Sequence, residues 1–252
     1  MSILKIENLN VSADNEILLD GLSFEIDEKG IYAILAKSSE LLTVLANVLS
    51  AVISPDGGSI FYKDIELTEN KKGKELKSKI GYVPKQSFLY PDMTVFEVLD
   101  FTGKMRGVSP DKRVRQIKEA LELLALSNKS EVLVKHLSFS ENKRLLLTNA
   151  LMGNPNILIL DEPCAGVMSD EADIIRDVLE MLGERKTVVI LTEKVTFANS
   201  IAKHIGIIAN GKMALWSTLD NIKEKLNNDS KALSKTFVAF TDGSADDVGG
   251  AK

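Results

Sequence analysis

Two continuous apolar runs constrain this chain more than any other feature: IYAIL (Ile31 to Leu35) and NILIL (Asn156 to Leu160). They are too short for independent helices, and no polar residue alternates through them beyond the leading Asn. Such runs suit strands buried on both faces. TVVILT (Thr187 to Thr192) is a third strand of apolar character. Helical patterns follow or separate these strands, and alternating buried strands and helices imply a parallel sheet covered on both sides. The fold class is therefore α/β.

The remaining elements can be placed around that core. LKIENLNV and ILLDGLSFEID alternate apolar and polar residues and predict an N-terminal β region. After Leu35, AKSSELLTVLANVLSAVI carries Leu41, Leu42, Leu45, Val48, Leu49 and Val52 at helical spacing, with Ser38 or Ser39 as its cap. Pro55-Asp56-Gly57-Gly58 ends the helix, and SIFYKDIEL returns to strand. The charged stretch Glu69 to Lys79 is a solvated loop or short helix, or a phosphate or membrane patch. IGYVPKQ is a short strand stopped by Pro84. Residues 94–153 are mainly helical, and Ser109-Pro110-Asp111 starts one of the helices. SDEADIIRDVLEMLGER is an amphipathic helix. Asn210-Gly211 signals a type I′ hairpin. Residues 219–226 form the last short helix, with a loose tail after Thr241.

Composition narrows the function classes. The 252 residues carry 31 Lys plus Arg against 36 Asp plus Glu, a net charge of −5. That balance lacks the basic footprint of a general nucleic-acid binder. A single cysteine, Cys164, forbids an internal disulfide, and two histidines do not make a His-rich metal site. No apolar run is long enough to span a bilayer, and the first residues lack the pattern of a secretion signal. A cytoplasmic location is the expectation. Cys164 lacks a plausible His partner and reads as a structural or surface thiol. His136 and His204 fall near element boundaries, Trp216 is expected against the last helix or a partner, and the charges of DKRVRQIKEALELL are expected on a solvated helix face.

The order and separation of LDGLSFEI, IYAIL, SPDGG, IGYVP, LYPDMTV, NPNILILDEP and IIANGKM resemble the ATP-binding cassette family, the nucleotide-binding subunits of ABC transporters. The resemblance spans residues 2 to 225. It implies a P-loop NTPase-like fold: a mixed-sheet core, an N-terminal β-subdomain and an inserted helical subdomain. The cassette would occupy residues 1–225, with the helical subdomain at about 94–153. Residues 226–252 would be a C-terminal extension, flexible at its end.

The resemblance also implies Mg-ATP as cofactor, and here the sequence departs from the pattern. In the family a glycine-rich loop wraps the phosphates with backbone N–H groups while its lysine reaches the β- and γ-phosphates. The aligned loop is Ala36, Lys37, Ser38, Ser39, Glu40, Leu41, Leu42 and Thr43. It has no glycine, and Leu42 stands in place of the lysine. Thr43 retains the hydroxyl that ligates magnesium. The adenine-stacking aromatic is replaced near Ala13. Lys85 replaces the glutamine that senses metal and water, with Gln86 one place late. The signature segment, usually Leu-Ser-Gly-Gly-Gln, reads LSFSE. Ser138 remains, while Phe139 and Ser140 replace glycines and Glu141 adds negative charge. Met168 and Glu193 replace the interface aspartate and the switch histidine. ILILDEP alone is whole: Asp161 at the magnesium position and Glu162 at the position of the general base.

These departures predict a degenerate cassette, weak or inactive in ATP binding and hydrolysis. It would be peripheral on the cytosolic face of the membrane, paired with a polytopic permease and a second ABC ATPase subunit. A competent partner cassette makes more use of this chain than self-pairing does, and Ser138 would approach that partner's ATP. Phe88, Leu89, Tyr90 and Met93 would face the permease, or belong to the core. Two alternatives are a soluble pseudo-ATPase scaffold or regulator and an active ATPase with divergent motifs, the latter resting on Thr43, Asp161 and Glu162.

Overall fold

A computed structural model of the chain describes residues 2–13, 16–67, 71–86 and 89–243. Its centre is a six-stranded sheet. β3 (Gly30–Leu35) follows the N-terminal strands, and β6 (Ile80–Val83), β7 (Ile157–Asp161), β8 (Thr187–Thr192), β9 (His204–Ala209) and β10 (Lys212–Thr218) complete it. The spatial order is β10-β9-β3-β8-β7-β6. The contacts among β9, β3, β8, β7 and β6 are parallel, and β10 closes one edge antiparallel to β9.

The uninterrupted apolar runs are explained by what lies on each face. In β3, Ile31, Ala33 and Leu35 enter one core while Tyr32 and Ile34 enter the other. β7 divides in the same way, with Leu158 and Leu160 on one side and Ile157 and Ile159 on the other. Full burial of each such side chain contributes about 1.5–3 kcal/mol, so a polar residue at any of these positions would be costly.

One face is covered by α1 (Ser39–Leu49) and by a second, antiparallel sheet of order β2-β1-β4-β5. This sheet comprises β1 (Leu4–Ala13), β2 (Glu16–Ile26), β4 (Gly57–Tyr62) and β5 (Ile65–Glu66). Gly58 is required there, because it has φ +84° and a Cβ would lie 2.3 Å from the Asn8 carbonyl oxygen. Val52, which fits the helical spacing of α1, lies beyond the Ser50 C-cap and is exposed. The charged stretch contains α2 (Lys71–Lys77), and residues 68–70 lie outside the described residues.

The other face is covered by the helical insertion and the C-terminal helices. The insertion comprises α3 (Val95–Met105), α4 (Pro110–Leu123) and α5 (Phe139–Leu151). The charges of α4 lie on a solvated face as expected (Asp111, Lys112, Arg115, Lys118, Glu119 and Glu122 are exposed), and Arg113 alone departs from it. It is buried, its guanidinium donates to Asp100 at 2.5 Å and to the Val108 carbonyl at 2.8 Å. α6 (Ser169–Gly183), α7 (Val195–Ile201) and α8 (Leu219–Lys225) follow. α8 is not the last helix. α9 (Ala232–Asp242) packs Leu233 and Phe237 into the same core, and its Gly243 C-cap is left-handed. Residues 244–252 lie outside the described residues.

Trp216 does not pack on α8. Its ring lies 4.8 Å from Phe24 and 5.8 Å from Tyr32, which joins β10 to the N-terminal sheet. His204 stacks on Tyr32 at 4.4 Å and bonds Glu28, a structural setting. Asn210 and Gly211 both have positive φ, as the hairpin signal requires. Among the described residues no helix is long and apolar enough to cross a membrane.

Candidate functional site

The C-terminal ends of β3, β7 and β8 and the loop after β6 converge on one cleft. From β3 the chain passes through Ala36, Lys37 and Ser38 into α1. Ser38 is the cap: its Oγ accepts from the Leu41 N–H at 3.1 Å, and its carbonyl accepts from the Leu42 N–H at 3.2 Å. Two N-terminal N–H groups of the helix are thus satisfied within the loop. No residue from 36 to 43 has positive φ. A loop without glycine has here a path that needs none.

The side chains of the loop turn away from the cleft or are already engaged. Leu42, at the lysine position, is 0% exposed and packs with Leu41 and Leu45 into the core beneath the N-terminal sheet. Lys37 forms an ion pair with Asp242 at the end of α9. Glu40 is exposed. The Ser39 hydroxyl accepts from the ammonium of Lys85, which reaches in from the loop after β6. Lys85 was legible as a substitution; its contact with a residue 46 positions away was not.

At the end of β7 the two carboxylates are held differently. Asp161 is fully buried, and its Oδ2 accepts from the Thr43 hydroxyl at 2.8 Å. Its Oδ1 is buried with no hydrogen-bond partner. Burial pushes its pKa up, opposed by the Thr43 hydrogen bond; the neighbouring Glu162 raises it further, and the Lys85 charge and backbone N–H lower it. Glu162 is turned toward β8. Its Oε2 accepts from the Thr192 hydroxyl at 3.0 Å and its Oε1 from the Glu193 N–H at 2.5 Å. Its backbone is left-handed, with φ 48°, and its N–H donates to the Leu191 carbonyl. Both oxygens at the general-base position are therefore committed to the end of β8. Cys164 is buried, and burial pushes its thiol up to about 11.

The helical insertion contributes Lys143, a residue that motif comparison does not single out. It is 5% exposed, and its ammonium donates to the Lys85 carbonyl at 2.7 Å and to the Glu162 carbonyl at 3.3 Å. Burial lowers its pKa, with Asp161 and Glu162 acting in the opposite direction. Gln86 is exposed and lines, with Lys85, Ser138, Phe139 and Lys143, a cavity of about 410 Å³. Ser138 caps α5: its Oγ accepts from the Glu141 N–H and its N–H donates to the Glu141 carboxylate. Glu141 also pairs with Lys129 at 2.8 Å, so its charge is held within the insertion rather than left free. Phe139 and Met168 are exposed, and Ala13 ends β1 with no aromatic side chain to offer.

The residues fit Mg-ATP only in part. Thr43 and Asp161 retain two oxygen donors suited to a hard cation. Among the described residues, no group of three or more His, Cys, Asp and Glu gathers around a metal position, so these two donors would depend on phosphate oxygens to complete a site. The phosphate side does not fit, because the loop lacks glycines, its lysine position is buried apolar core and its Ser39 is engaged by Lys85.

Comparison with known proteins places the chain in a family. The family model described as ABC transporter matches residues 19–165. An ABC transporter ATP-binding protein of Methanocaldococcus jannaschii is 27% identical over 224 residues, covering 88% of this chain and 80% of that one. The linearmycin resistance ATP-binding protein LnrL of Bacillus subtilis is 27% identical, covering 90% and 73%. A molybdate/tungstate import ATP-binding protein of Methanocaldococcus jannaschii is 28% identical, covering 98% and 84%. Among solved structures, an ATP-binding subunit of an ABC transporter superimposes with a TM-score of 0.83 at 18% identity, covering 95% of this chain and 99% of its own. CbiO1 of Clostridium perfringens, part of the cbiONQ complex, gives 0.78 at 22% identity, covering 93% and 94%. The chain belongs to the ABC transporter family and has the fold of its ATP-binding cassette.

Proposed function

We propose that this chain is a non-hydrolysing cassette subunit of an ABC transporter, peripheral on the cytosolic face of the membrane. It works with a polytopic permease and a competent second cassette, supplying shape rather than chemistry. One observation carries this reading: Leu42 occupies the phosphate-lysine position as fully buried core. Charge-assisted contacts contribute about 1.5–3 kcal/mol each, so losing the lysine together with the backbone cradle removes several decades of affinity. The commitment of Glu162 to Thr192 and Glu193 agrees with a carboxylate kept for the β7–β8 connection. Ser138, as the cap of α5, remains at the surface to approach a partner's nucleotide.

Permease contact is proposed for the segment before α3. Tyr90 is 55% exposed and meets Phe101 edge-on at 5.8 Å, whereas Leu89 and Met93 pack against the core. Phe88 lies outside the described residues. The active-ATPase reading draws on the Thr43–Asp161 hydrogen bond, which keeps the metal-facing pair assembled. Magnesium-ATP calorimetry on the purified chain, taken to millimolar nucleotide, separates the two. Absence of binding is expected. Micromolar binding would overturn the reading of residues 36–43 as a lost phosphate loop and make Asp161 and Glu162 the first residues to replace in a hydrolysis assay.

A further inference from the structure

Phe139 and Lys143 are one helical turn apart on α5 and share a face of it. Both reach the turn that follows β7. The Lys143 ammonium donates to the Glu162 carbonyl at 3.3 Å and to the Lys85 carbonyl of the β6 loop at 2.7 Å. The Glu162 carbonyl also accepts from the Ala165 N–H at 3.2 Å, which closes the turn. The Phe139 ring covers the next residue: a Cβ on Gly166, whose φ is +75°, would lie 3.0 Å from it. The Lys143 ammonium lies 5.9 Å from the centre of that ring, within cation–π range. From the start of α7 the Lys194 ammonium holds the same turn, donating to the Cys164 carbonyl at 3.2 Å. Lys143 itself is buried. Its charge-assisted bonds are about twice as strong as neutral ones, and removing them leaves buried carbonyls short of a donor.

We propose that Phe139 and Lys143 form a clasp that fastens the helical insertion to the ends of β6 and β7, so that the chain's own side chains hold the cleft in one preformed shape with no ligand bound. The clasp deepens the shape-supplying role proposed above and rests on it only for its use; its contacts hold whether or not nucleotide binds. Phe139 stands where the family pattern has glycine. The substitution is therefore a gain as well as a loss, because a glycine at the start of α5 has no side chain to lay on the turn.

The chain's single cysteine lies inside the fastened turn, is buried, and serves as the reporter. Its reaction with dithiobis(nitrobenzoate) is followed at pH 8 on the full chain without nucleotide, across low urea concentrations, so that the result is scored apart from ATP binding. Lys143→Met keeps the stem and removes the ammonium. It is expected to open a route to Cys164 that is insensitive to low urea and about tenfold or more faster than in the native chain. Phe139→Ala is expected to speed the reaction about threefold or more. The Lys143 charge favours ionisation of the Cys164 thiol, so its loss alone would slow the reaction, and a faster one reports access. Because the two side chains act as one clasp, the double variant is expected to react more slowly than the product of the single effects. The proposal is overturned if either single variant reacts at the native rate, if Lys143→Met still reacts only through global unfolding, or if the two effects multiply in full. Should Lys143→Met not fold, Phe139→Ala carries the test alone, since that side chain is more than half exposed, and a native rate then overturns the proposal.

Discussion

The two sides of the cleft have parted from the family pattern in opposite ways. On the β7 side every polar residue of ILILDEP is in place, and the carboxylates are buried, hydrogen-bonded and aligned with the end of the strand. On the β3 side the polypeptide keeps its route from strand to helix, but its side chains have become apolar packing or internal ion pairs. The difference follows from what each element owes to the fold. Asp161 and Glu162 have partners within the protein that make them worth retaining. A phosphate loop has only its ligand to justify its glycines and lysine, and Leu42 converts that position into core.

Restoring the lysine should therefore be the most disruptive change. Leu42→Lys places an ammonium in a fully buried apolar site and is expected to cost about 3 kcal/mol or more, read as a shifted denaturant midpoint. A cost below about 1 kcal/mol would mean that the β3 side yields easily and that the contrast is overstated. Rebuilding the whole loop with Ser39→Gly, Leu41→Gly and Leu42→Lys is therefore expected to lose stability before it gains affinity.

On the opposite side, Thr43→Val removes the Thr43 hydroxyl's hydrogen bond to the fully buried Asp161 carboxylate and leaves it the Lys85 backbone N–H, so about 2–3 kcal/mol is expected. Thr192→Val spares the Glu193 N–H contact to Glu162, so about 1–2 kcal/mol is expected. Equal losses from the two substitutions would show that the two carboxylates are not held differently. Cys164 reports on closure of the same side. Its thiol, raised from 9.0 to about 11, stays protonated in the folded chain while the unfolded thiol ionises. Its contribution to stability is therefore present at neutral pH and is lost as pH rises from about 9 to about 11. Reaction with a thiol reagent at pH 8 should be more than about tenfold slower than in denaturant, and comparable rates would show an open strand end. The smallest effect is expected from Lys37→Ala. Its pair with Asp242 is about half exposed, so a loss under about 1 kcal/mol is expected. A larger one would tie α9 to the phosphate loop more firmly than surface electrostatics allows.

Much of this architecture was legible because it is local. The apolar runs of β3 and β7 report burial on both faces, Ser38 or Ser39 marks the start of a periodic helix, and Asn210-Gly211 has the chemistry of its turn. What escaped the sequence is long-range. Lys85 meets Ser39 across 46 positions, and Thr192 meets Glu162 across 30. Trp216 finds Phe24 in another sheet. Arg113 looked like one more solvated charge until Asp100 on the neighbouring helix drew it inward. α9 carries a signal that the sequence does offer, with Leu233, Phe237 and Phe240 at helical spacing, and the expectation that the helices end at residue 226 overlooks it.

The burial of Leu42 has a consequence for how such a subunit behaves in a cell. A protein that binds a ligand only when folded is stabilised by mass action, so its abundance and lifetime rise and fall with the ligand's concentration. On the proposed reading this chain has replaced that dependence with its own hydrocarbon. It would reach its assembled form on synthesis and hold it through energy depletion, with a half-life indifferent to the supply of ATP.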